Sequence, residues 1–289
     1  MNYRHNYHAG NFSDVIKHIT LIVLIDLLLR KKTPFYYLDT HAGTGCYNLT
    51  SEWANKTKEY MGGIKKIIQQ PNPPPTVLRY VNYIETMNRD EIAHQPAAKQ
   101  TVDTLCYYPG SPLIANHFSR DQDRIVACEL QLQQYQALKT NVHAMKKISI
   151  HHMDGFLSLK AFLPPLERRG LVFIDPPYEH PDEFKHITHF LSIAIKRWDK
   201  GIYAVWYPLK EKIQINHFYR TLKTEIQQPM LGIELTIYPD LPNHLNGCGL
   251  IIINPPWLLD ETIKALLPWL WNALTINQQG DYRCFLLNY

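Results

Sequence analysis

The sequence predicts an α/β fold built on a mostly parallel β-sheet. Residues 171–178, Leu-Val-Phe-Ile-Asp-Pro-Pro-Tyr, open with an apolar run typical of a strand buried on both faces, and the two prolines end that strand. From residue 129 onward, strand-like and helix-like segments alternate regularly. Four successive predicted strands end in an acidic residue. Because ligands bind at the carboxyl edge of such a sheet, we expect these acids to share one site.

Length and composition indicate a globular protein. The 289 residues are 45% hydrophobic, enough for one large α/β domain or one domain with an insertion. The net charge of +4 is mild, and the paired basic residues suit phosphate contacts or solvated helix ends equally well. The five cysteines lie far apart, which favours reduced thiols in a cytoplasm over a zinc site. No leader is visible, and the apolar residues 19–29 are too few to span a bilayer, so we expect a soluble cytoplasmic protein without membrane contact.

The first seventeen residues are rich in aromatic and basic side chains. They include Tyr3, His5 and Lys17, and they lead into a helix predicted to begin at Ser13 or Asp14 and to end at residue 30. A polar N-terminal segment is usually a frayed tail. Closely spaced rings and cations also suit a strand of nucleic acid, so both interpretations stay open.

The first predicted strand covers residues 35–38 and leads into a glycine-containing turn. Pro34 ends the preceding helix, and the strand runs into Asp39-Thr-His-Ala-Gly43-Thr-Gly45. A strand that ends in an acid and a Gly-x-Gly turn is how a Rossmann-like domain opens its cofactor site. The third glycine of the dinucleotide pattern is missing. Asp39 and Gly43 therefore fit S-adenosylmethionine, a cation without phosphates, better than NAD.

The segment after this turn reads as an insertion. Helix-like residues 53–70 and 76–88 are separated by a proline-rich stretch, and the next strand that ends in an acid comes 90 positions after Asp39. We therefore divide the chain into an N-terminal part with the first helix and first strand, an inserted helical subdomain, and the remainder of the Rossmann-like domain. These parts are residues 1–47, 48–105 and 106–289.

Seven strands are predicted in all. Asp39, Glu129 and Asp154 end the first three, and Asp175 ends the fourth. The last two strands form a terminal hairpin that contains a second motif, Asn-Pro-Pro-Trp at residues 254–257, which we interpret as a turn. The seven strands cover residues 35–38, 124–129, 148–151, 171–174, 203–207, 232–238 and 250–253.

Asp-Pro-Pro-aromatic is typical of methyltransferases that act on an exocyclic amino group of a nucleobase. The lone pair of such an amine is delocalised into the ring, so the site has to hold both N–H donors and turn the lone pair toward the methyl donor. Asp175 and the Pro176 carbonyl are suitable acceptors, and Tyr178 suits stacking on an extruded base. Asp175, Pro176, Pro177 and Tyr178 are therefore the predicted catalytic residues. Read alone, the same four residues also suit an ordinary turn.

The whole chain resembles the RlmJ-type methyltransferases, which form N6-methyladenosine at one position of bacterial 23S ribosomal RNA. The resemblance implies a class I S-adenosylmethionine-dependent methyltransferase with a small helical insertion, acting as a monomer and without a metal. It rests on YRHNYHAGN, SDVIKH, YLDTHAGTG, YYPGSPL, MDGF, RRGLVFIDPPY, YAVWYP and INPPW, which stand in family order.

The resemblance also implies roles for individual residues. Asp175 would accept from the target amine. Glu129 suits both ribose hydroxyls of the cofactor, and Asp154 suits the amino group of its adenine. Tyr3, His5 and Lys17 would close over the site and place the RNA. The implied cofactor contacts are His18, His41, Ser111, Glu129, Asp154 and Gly155, to which the glycine-containing turn adds Asp39 and Gly43.

These observations predict direct in-line transfer of a methyl group to adenine N6, with no covalent enzyme intermediate. Two alternatives stay open on the sequence. The first is a DNA adenine-N6 methyltransferase, and the second is a non-catalytic nucleic-acid-binding protein linked to the use of external DNA. Binding of S-adenosylmethionine would distinguish an enzyme from the second alternative.

Overall fold

The computed structural model describes residues 4–93, 105–241 and 244–288. Eight of its strands form one sheet in the order β5-β4-β1-β6-β7-β9-β8-β10, and β2 pairs with β3 in a separate antiparallel ribbon. The strands are β1 (Tyr36–Asp39), β2 (Cys46–Asn48), β3 (Tyr107–Pro109), β4 (Arg124–Glu129), β5 (Ile148–His152), β6 (Gly170–Ile174), β7 (Ile202–Leu209), β8 (Met230–Thr236), β9 (Gly247–Ile253) and β10 (Tyr282–Leu286).

Five neighbouring strands, β5-β4-β1-β6-β7, run parallel. In the register, Tyr36 of β1 lies opposite Arg124 on one side and Gly170 on the other. The carboxyl ends of β1, β4, β5 and β6 therefore meet at one edge of the sheet, as the order of acidic strand ends predicts. The α/β fold class and the mostly parallel sheet are confirmed.

The other three strands of the sheet make its antiparallel part. β9 lies between β7 and β8 and runs antiparallel to both, and β10 pairs antiparallel with the far side of β8. The sheet thus has eight strands where the sequence predicts seven, and β10 is the additional one. The side chains of β10 are half-buried or exposed, so the strand lacks the continuous apolar run by which the sequence identifies the others.

The second Pro-Pro motif follows β9 and lies at the opposite edge of the sheet, because β9 runs against the parallel strands. Asn254 donates through Nδ2 to the carbonyls of Asp199 and Gly201, each 2.8 Å away, and so closes a turn. Trp257 is 81% exposed. The interpretation of this motif as a turn agrees with its position.

Helices cover both faces of the sheet. Tyr37 points into a core shared with α1 and α10, and Tyr36 points into a second core shared with α7, α8 and α9. No helix within the described ranges is both long and apolar enough to cross a membrane. The helices are α1 (Phe12–Leu29), α2 (Glu52–Thr57), α3 (Ile64–Ile68), α4 (Pro75–Ala93), α5 (Ser111–Phe118), α6 (Leu132–Val142), α7 (Gly155–Phe162), α8 (Glu183–Arg197), α9 (Lys212–Glu225) and α10 (Leu259–Leu274).

Helix α1 begins two residues earlier than predicted. Asn11 caps it, because its Oδ1 accepts from the backbone N–H of Asp14 at 2.9 Å. The two residues predicted as caps, Ser13 and Asp14, instead lie buried in the first turn. This shift frees the Asp14 carboxylate for contacts outside its own helix.

The predicted helix over residues 53–70 is broken into three short pieces. Lys58 adopts a left-handed conformation (φ 54°) at the end of α2, and a 3-10 helix, Glu59–Gly62, follows it. Gly63 then separates that 3-10 helix from α3, at a place where a side-chain Cβ would collide with the carbonyl oxygen of Gly10. These breaks let the segment fold against the N-terminal residues of the chain.

Candidate active site

A cavity opens at the carboxyl edge of the parallel strands. Its volume is about 220 Å³. Tyr3 lies outside the described residues, and Asp39 is not among the lining residues. The predicted residues that line the cavity are His5, Lys17, His18, His41, Gly43, Ser111, Glu129, Asp154, Gly155, Asp175, Pro176, Pro177 and Tyr178.

Charged contacts join the N-terminal residues to the Asp-Pro-Pro-Tyr motif. Lys17 Nζ donates to Asp175 Oδ2 at 2.5 Å and lies 2.8 Å from Asp14 Oδ1. His5 Nε2 donates to Asp14 Oδ2 at 2.8 Å, and the backbone N–H of Gly10 donates to the same oxygen at 2.9 Å. The first turns of α1 are thereby tied to the end of β6.

The charges of this network are mutually stabilised. Burial alone would disfavour the charged form of Lys17, but the carboxylates of Asp14 and Asp175 outweigh it and raise the pKa of the ammonium group well above its ordinary value. Burial likewise opposes ionisation of Asp14, and His5 and Lys17 reverse the effect, so its pKa lies well below the usual range. Lys17 is therefore a permanent cation beside Asp175.

The residues after β6 are held in a fixed arrangement. Tyr178 adopts a left-handed backbone conformation (φ 52°), which turns the chain back toward the sheet. Its hydroxyl donates to the Trp206 carbonyl at 2.6 Å. Its ring centroid lies 5.0 Å from that of Phe184 and 5.6 Å from that of Trp206. Asp175 and Tyr178 thus keep one orientation relative to the cavity.

Trp206, on β7, also lines the cavity, and sequence reasoning missed it. Its indole N–H donates to Ser13 Oγ at 3.0 Å, and Lys17 Nζ lies 5.8 Å from its ring centroid. The family motif Tyr-Ala-Val-Trp-Tyr-Pro contains this residue, so the motif was a signal for the site as well as for the strand. Sequence reasoning also missed Asp14 as a lining residue, because it assigned Asp14 only to a helix cap.

Glu129 and the glycine-containing turn are bonded to each other. The backbone N–H of Gly43 donates to Glu129 Oε2 at 2.9 Å, and that of Gln131 donates to Oε1 at 2.7 Å. Burial raises the pKa of Glu129, and these backbone donors counteract the rise. Gly43 has φ +61°, and a Cβ there would collide with the hydroxyl of Tyr47. Glycine avoids both the strain of this φ and the collision.

Asp39 lies beneath the cavity wall and does not form part of it. It is fully buried, accepts from the Tyr37 hydroxyl at 2.9 Å and also bonds the Ser111 side chain. Burial raises the pKa of Asp39 to about 6. The structure thus gives Asp39 a position behind Ser111, whereas the sequence predicts a direct cofactor contact. Asp39 lies on the same face of β1 as Tyr37, and the first residue after it that lines the cavity is His41.

The two predicted histidines of the wall are neutral. Burial lowers the pKa of His18 to about 3 and that of His41 to about 4. His18 Nδ1 lies 2.7 Å from the Tyr108 hydroxyl, and His41 Nδ1 lies 2.8 Å from Thr40 Oγ1. Both rings therefore act as uncharged hydrogen-bonding groups.

Asp154 and Gly155 begin helix α7 at the cavity. Asp154 caps the helix, and its Oδ1 accepts from the backbone N–H of Leu157 at 2.9 Å. A Cβ at Gly155 would collide with the carbonyl oxygen of Thr40, so glycine allows α7 to approach the end of β1. Phe156 adds an apolar ring, 5.3 Å from the ring of His41.

The charge of the cavity suits a cationic ligand. Five acidic side chains and two lysines line it. These carboxylates would repel the phosphates of a dinucleotide but fit a sulfonium cofactor whose ribose and amino groups need acceptors. Within the described part of the chain, no group of three or more His, Cys, Asp or Glu residues is arranged to hold a metal ion. The residues present therefore fit S-adenosylmethionine.

Comparison with known proteins decides the family. Residues 32–286 match the family model described as "Ribosomal RNA large subunit methyltransferase D, RlmJ". The chain belongs to the RlmJ family. It is 40% identical to ribosomal RNA large subunit methyltransferase J of Escherichia coli K12 over 275 residues, which cover 95% of this chain and 94% of that protein. The namesake of Haemophilus influenzae is 38% identical over 283 residues, which cover 98% and 97%.

A solved structure has the same fold over nearly the whole chain. A crystal structure of a protein from Legionella pneumophila strain Philadelphia 1 aligns with a TM-score of 0.85 at 37% identity and covers 96% of this chain and 98% of that one. Membership of the RlmJ family confirms the predicted enzyme class, a methyltransferase that uses S-adenosylmethionine.

Proposed function

We propose that this RlmJ-family protein transfers a methyl group from S-adenosylmethionine to N6 of an adenosine in 23S ribosomal RNA. The observation that carries the proposal is the position of Asp175. It follows a central parallel strand, faces the cavity beside Lys17, and is followed by Pro176 and Tyr178 in the cavity wall. This arrangement presents two acceptors and a ring to a planar amine.

Asp175 would hold the target amine as an acceptor and not as a strong base. Its Oδ2 accepts from Lys17, while Oδ1 has no hydrogen-bond partner among the described residues. Oδ1 and the Pro176 carbonyl would take the two N–H groups and direct the nitrogen lone pair into the cavity. S-adenosylmethionine, when bound, supplies an electrophilic methyl group. As positive charge develops on the amine, the Asp175 carboxylate stabilises the transition state more than the ground state.

Lys17 orients this acceptor. Its ammonium group donates to Asp175 Oδ2 and so fixes the orientation of one carboxylate oxygen. His5 acts through Asp14, because it donates to the other oxygen of that carboxylate. His5 and Lys17 are thus proposed to position the acceptor as well as the RNA. The same role is proposed for Tyr3 from the resemblance alone.

Cofactor binding is assigned to the opposite part of the cavity. Glu129, Asp154 and Ser111 would accept or donate hydrogen bonds to the hydroxyl and amino groups of S-adenosylmethionine, and neutral His18 and His41 would not repel its cationic sulfonium. Gly43 and Gly155 would let the ligand approach the backbone. Asp39 would act indirectly, by holding Ser111.

The substrate and the assembly state are part of the proposal. The relatives' name, ribosomal RNA large subunit methyltransferase, supports a ribosomal RNA substrate, which would place the enzyme in the cytoplasm. Action as a monomer is proposed from the family resemblance alone. We propose residues 48–105 as an inserted subdomain that packs on the N-terminal residues.

The test is methyl transfer from labelled S-adenosylmethionine to unmodified 23S rRNA, with equal masses of 16S rRNA and duplex DNA as competitors. We expect label in 23S rRNA only, recovered as N6-methyladenosine after digestion to nucleosides. Label in DNA would favour the DNA methyltransferase alternative. No transfer to any nucleic acid, despite tight cofactor binding, would contradict the proposed substrate.

A further inference from the structure

We propose that Trp53 and Arg4 form a stacking platform for an RNA nucleotide that flanks the target adenosine. Trp53 belongs to α2, in the proposed insertion, and Arg4 precedes the N-terminal 3-10 helix. The inference rests on the proposed function, since it takes RNA as the substrate. It gives the insertion a role in substrate binding, separate from catalysis and from the cofactor.

The two side chains form an exposed cation–π pair. The guanidinium carbon of Arg4 lies 4.7 Å from the centroid of the Trp53 ring, and the Tyr7 ring centroid lies 6.4 Å from that of Trp53. Trp53 is 37% exposed and Arg4 is exposed as well. Planar indole and guanidinium groups that reach solvent are the groups on which unpaired RNA bases stack.

This platform adjoins, along the chain, residues that line the active-site cavity: Arg4 is next to His5. Tyr7 is next to His8 in the chain, and both His5 and His8 line the cavity. A base held in the cavity would therefore leave its neighbouring nucleotide close to Tyr7 and Trp53. Enzymes that act on a flipped base also contact the nucleotides that flank it.

Hydrogen bonds fix the platform in advance of binding. The Thr57 hydroxyl at the end of α2 donates to the Tyr7 carbonyl at 2.5 Å. Glu59 accepts from His8 Nδ1 at 2.9 Å and from Asn11 Nδ2 at 3.0 Å. The N-terminal residues and the insertion thus hold each other, so little conformational entropy has to be lost when a base stacks on Trp53.

Charge favours a nucleic acid over an apolar partner at this place. Lys56 and Lys58, at the end of α2, add two exposed cations to Arg4. The interior of the cavity is acidic, so phosphates are repelled there and attracted at this rim. A flipped base inside the cavity, with its flanking nucleotide on the platform, keeps the phosphates out of the acidic interior and near the cations of the rim.

The chain offers a matched control. Trp257 is also exposed, at 81%, but it follows β9 at the opposite edge of the sheet. Substitution of Trp257 removes the same side chain without affecting the mouth of the cavity. Trp53→Phe keeps an aromatic ring at the platform and serves as the conservative variant.

The experiment measures steady-state methylation of unmodified 23S rRNA by the full-length protein and by Trp53→Ala, Trp53→Phe and Trp257→Ala. Loss of one base–aromatic stack predicts that Trp53→Ala raises KM for RNA roughly 5- to 150-fold. The kcat at saturating RNA and the KM for S-adenosylmethionine should stay unchanged. Trp53→Phe should recover most of the affinity for RNA, and Trp257→Ala should match the wild-type protein.

Three results would overturn the platform. The first is a KM for RNA that is the same in Trp53→Ala and Trp257→Ala. The second is a fall in kcat without a change in KM for RNA, and the third is a failure of Trp53→Phe to recover affinity, which would mean that the ring only supports the fold. A wild-type protein that methylates no RNA would overturn the proposed function together with the platform.

Discussion

At the scale of single residues, the contact between Lys17 and Asp175 determines what the site is able to do. A carboxylate that accepts from a buried ammonium group at 2.5 Å is a well-oriented hydrogen-bond acceptor. Asp14 keeps Lys17 in place from the other side, and His5 and the Gly10 amide complete the hydrogen bonds of Asp14. A buried cluster of this kind is stable only while every member is paired.

Asp39 allows a test of how burial changes the pKa of a single residue. Its pKa of about 6 means that the folded protein binds a proton more tightly than the unfolded chain, whose aspartate has its ordinary pKa of about 3.9. Protonated Asp39 therefore stabilises the folded protein at low pH. This contribution to the free energy of unfolding is lost as the pH rises through about 6, and the loss is about 3 kcal/mol. Asp39→Asn keeps the acceptor for Tyr37 and Ser111 but removes this loss.

We expect Asp39→Asn to become more stable relative to the wild-type protein as the pH rises from 4 to 7, because only the wild-type protein loses free energy of unfolding in this range. Urea denaturation at several pH values measures the difference directly. If the difference in the free energy of unfolding between the two proteins is independent of pH, burial does not raise the pKa of Asp39.

At the scale of elements, helix α1 delivers three site residues because of its period. Asp14, Lys17 and His18 are spaced by three and four positions, so they lie on one face of the first turns. The cap at Asn11 sets where that face points. Helix α7 makes a comparable contribution at the other side of the cavity, where Gly155 lets it dock against the end of β1.

Gly155→Ala tests this docking. The added Cβ would meet the Thr40 carbonyl, so helix α7 has to move, and we expect a loss of about 1–3 kcal/mol in the free energy of unfolding and weaker binding of S-adenosylmethionine. Gly62→Ala is the matched control, since no atom lies within 4 Å of a Cβ there. Thermal unfolding and isothermal titration measure both effects. Equal stability and affinity in the two variants would contradict the proposed packing role.

At the scale of the whole molecule, strand direction determines which polar residues meet. The parallel strands carry Glu129, Asp154 and Asp175 to one edge of the sheet, and the antiparallel β9 carries Asn254 to the other. The two Pro-Pro motifs have similar local sequences but lie on opposite sides of the molecule. The proposed cofactor and substrate sites therefore share the cavity at the carboxyl edge of the parallel strands.

Binding of S-adenosylmethionine should stabilise the whole fold. At about 100 times its Kd, a ligand that binds only the folded state adds about 2.7 kcal/mol, which raises the Tm. We expect Asp175→Ala to retain this increase while losing most of its turnover, and Glu129→Gln to lose much of the increase. Differential scanning fluorimetry with a methylation assay checks both. Equal losses of cofactor binding and turnover in Asp175→Ala would contradict its role as the acceptor for the amine.

The sequence by itself determined the α/β class, the order of the acidic strand ends and the place of the Asp-Pro-Pro-Tyr motif at the end of a buried strand, because apolar runs and prolines act locally. It assigned thirteen residues that the structure brings to one cavity. Short-range patterns could not reveal β10, whose half-exposed side chains resemble a loop, or the breaks at Lys58 and Gly63.

Only the tertiary structure decided which groups touch. The pairing of Lys17 with Asp175 joins residues 158 positions apart, and Trp206 meets Ser13 across 193 positions. The burial of Asp39 behind Ser111 likewise depends on how α5 packs on β1. Such contacts follow from the packing of distant elements, and no local pattern of residues encodes the distance between two side chains.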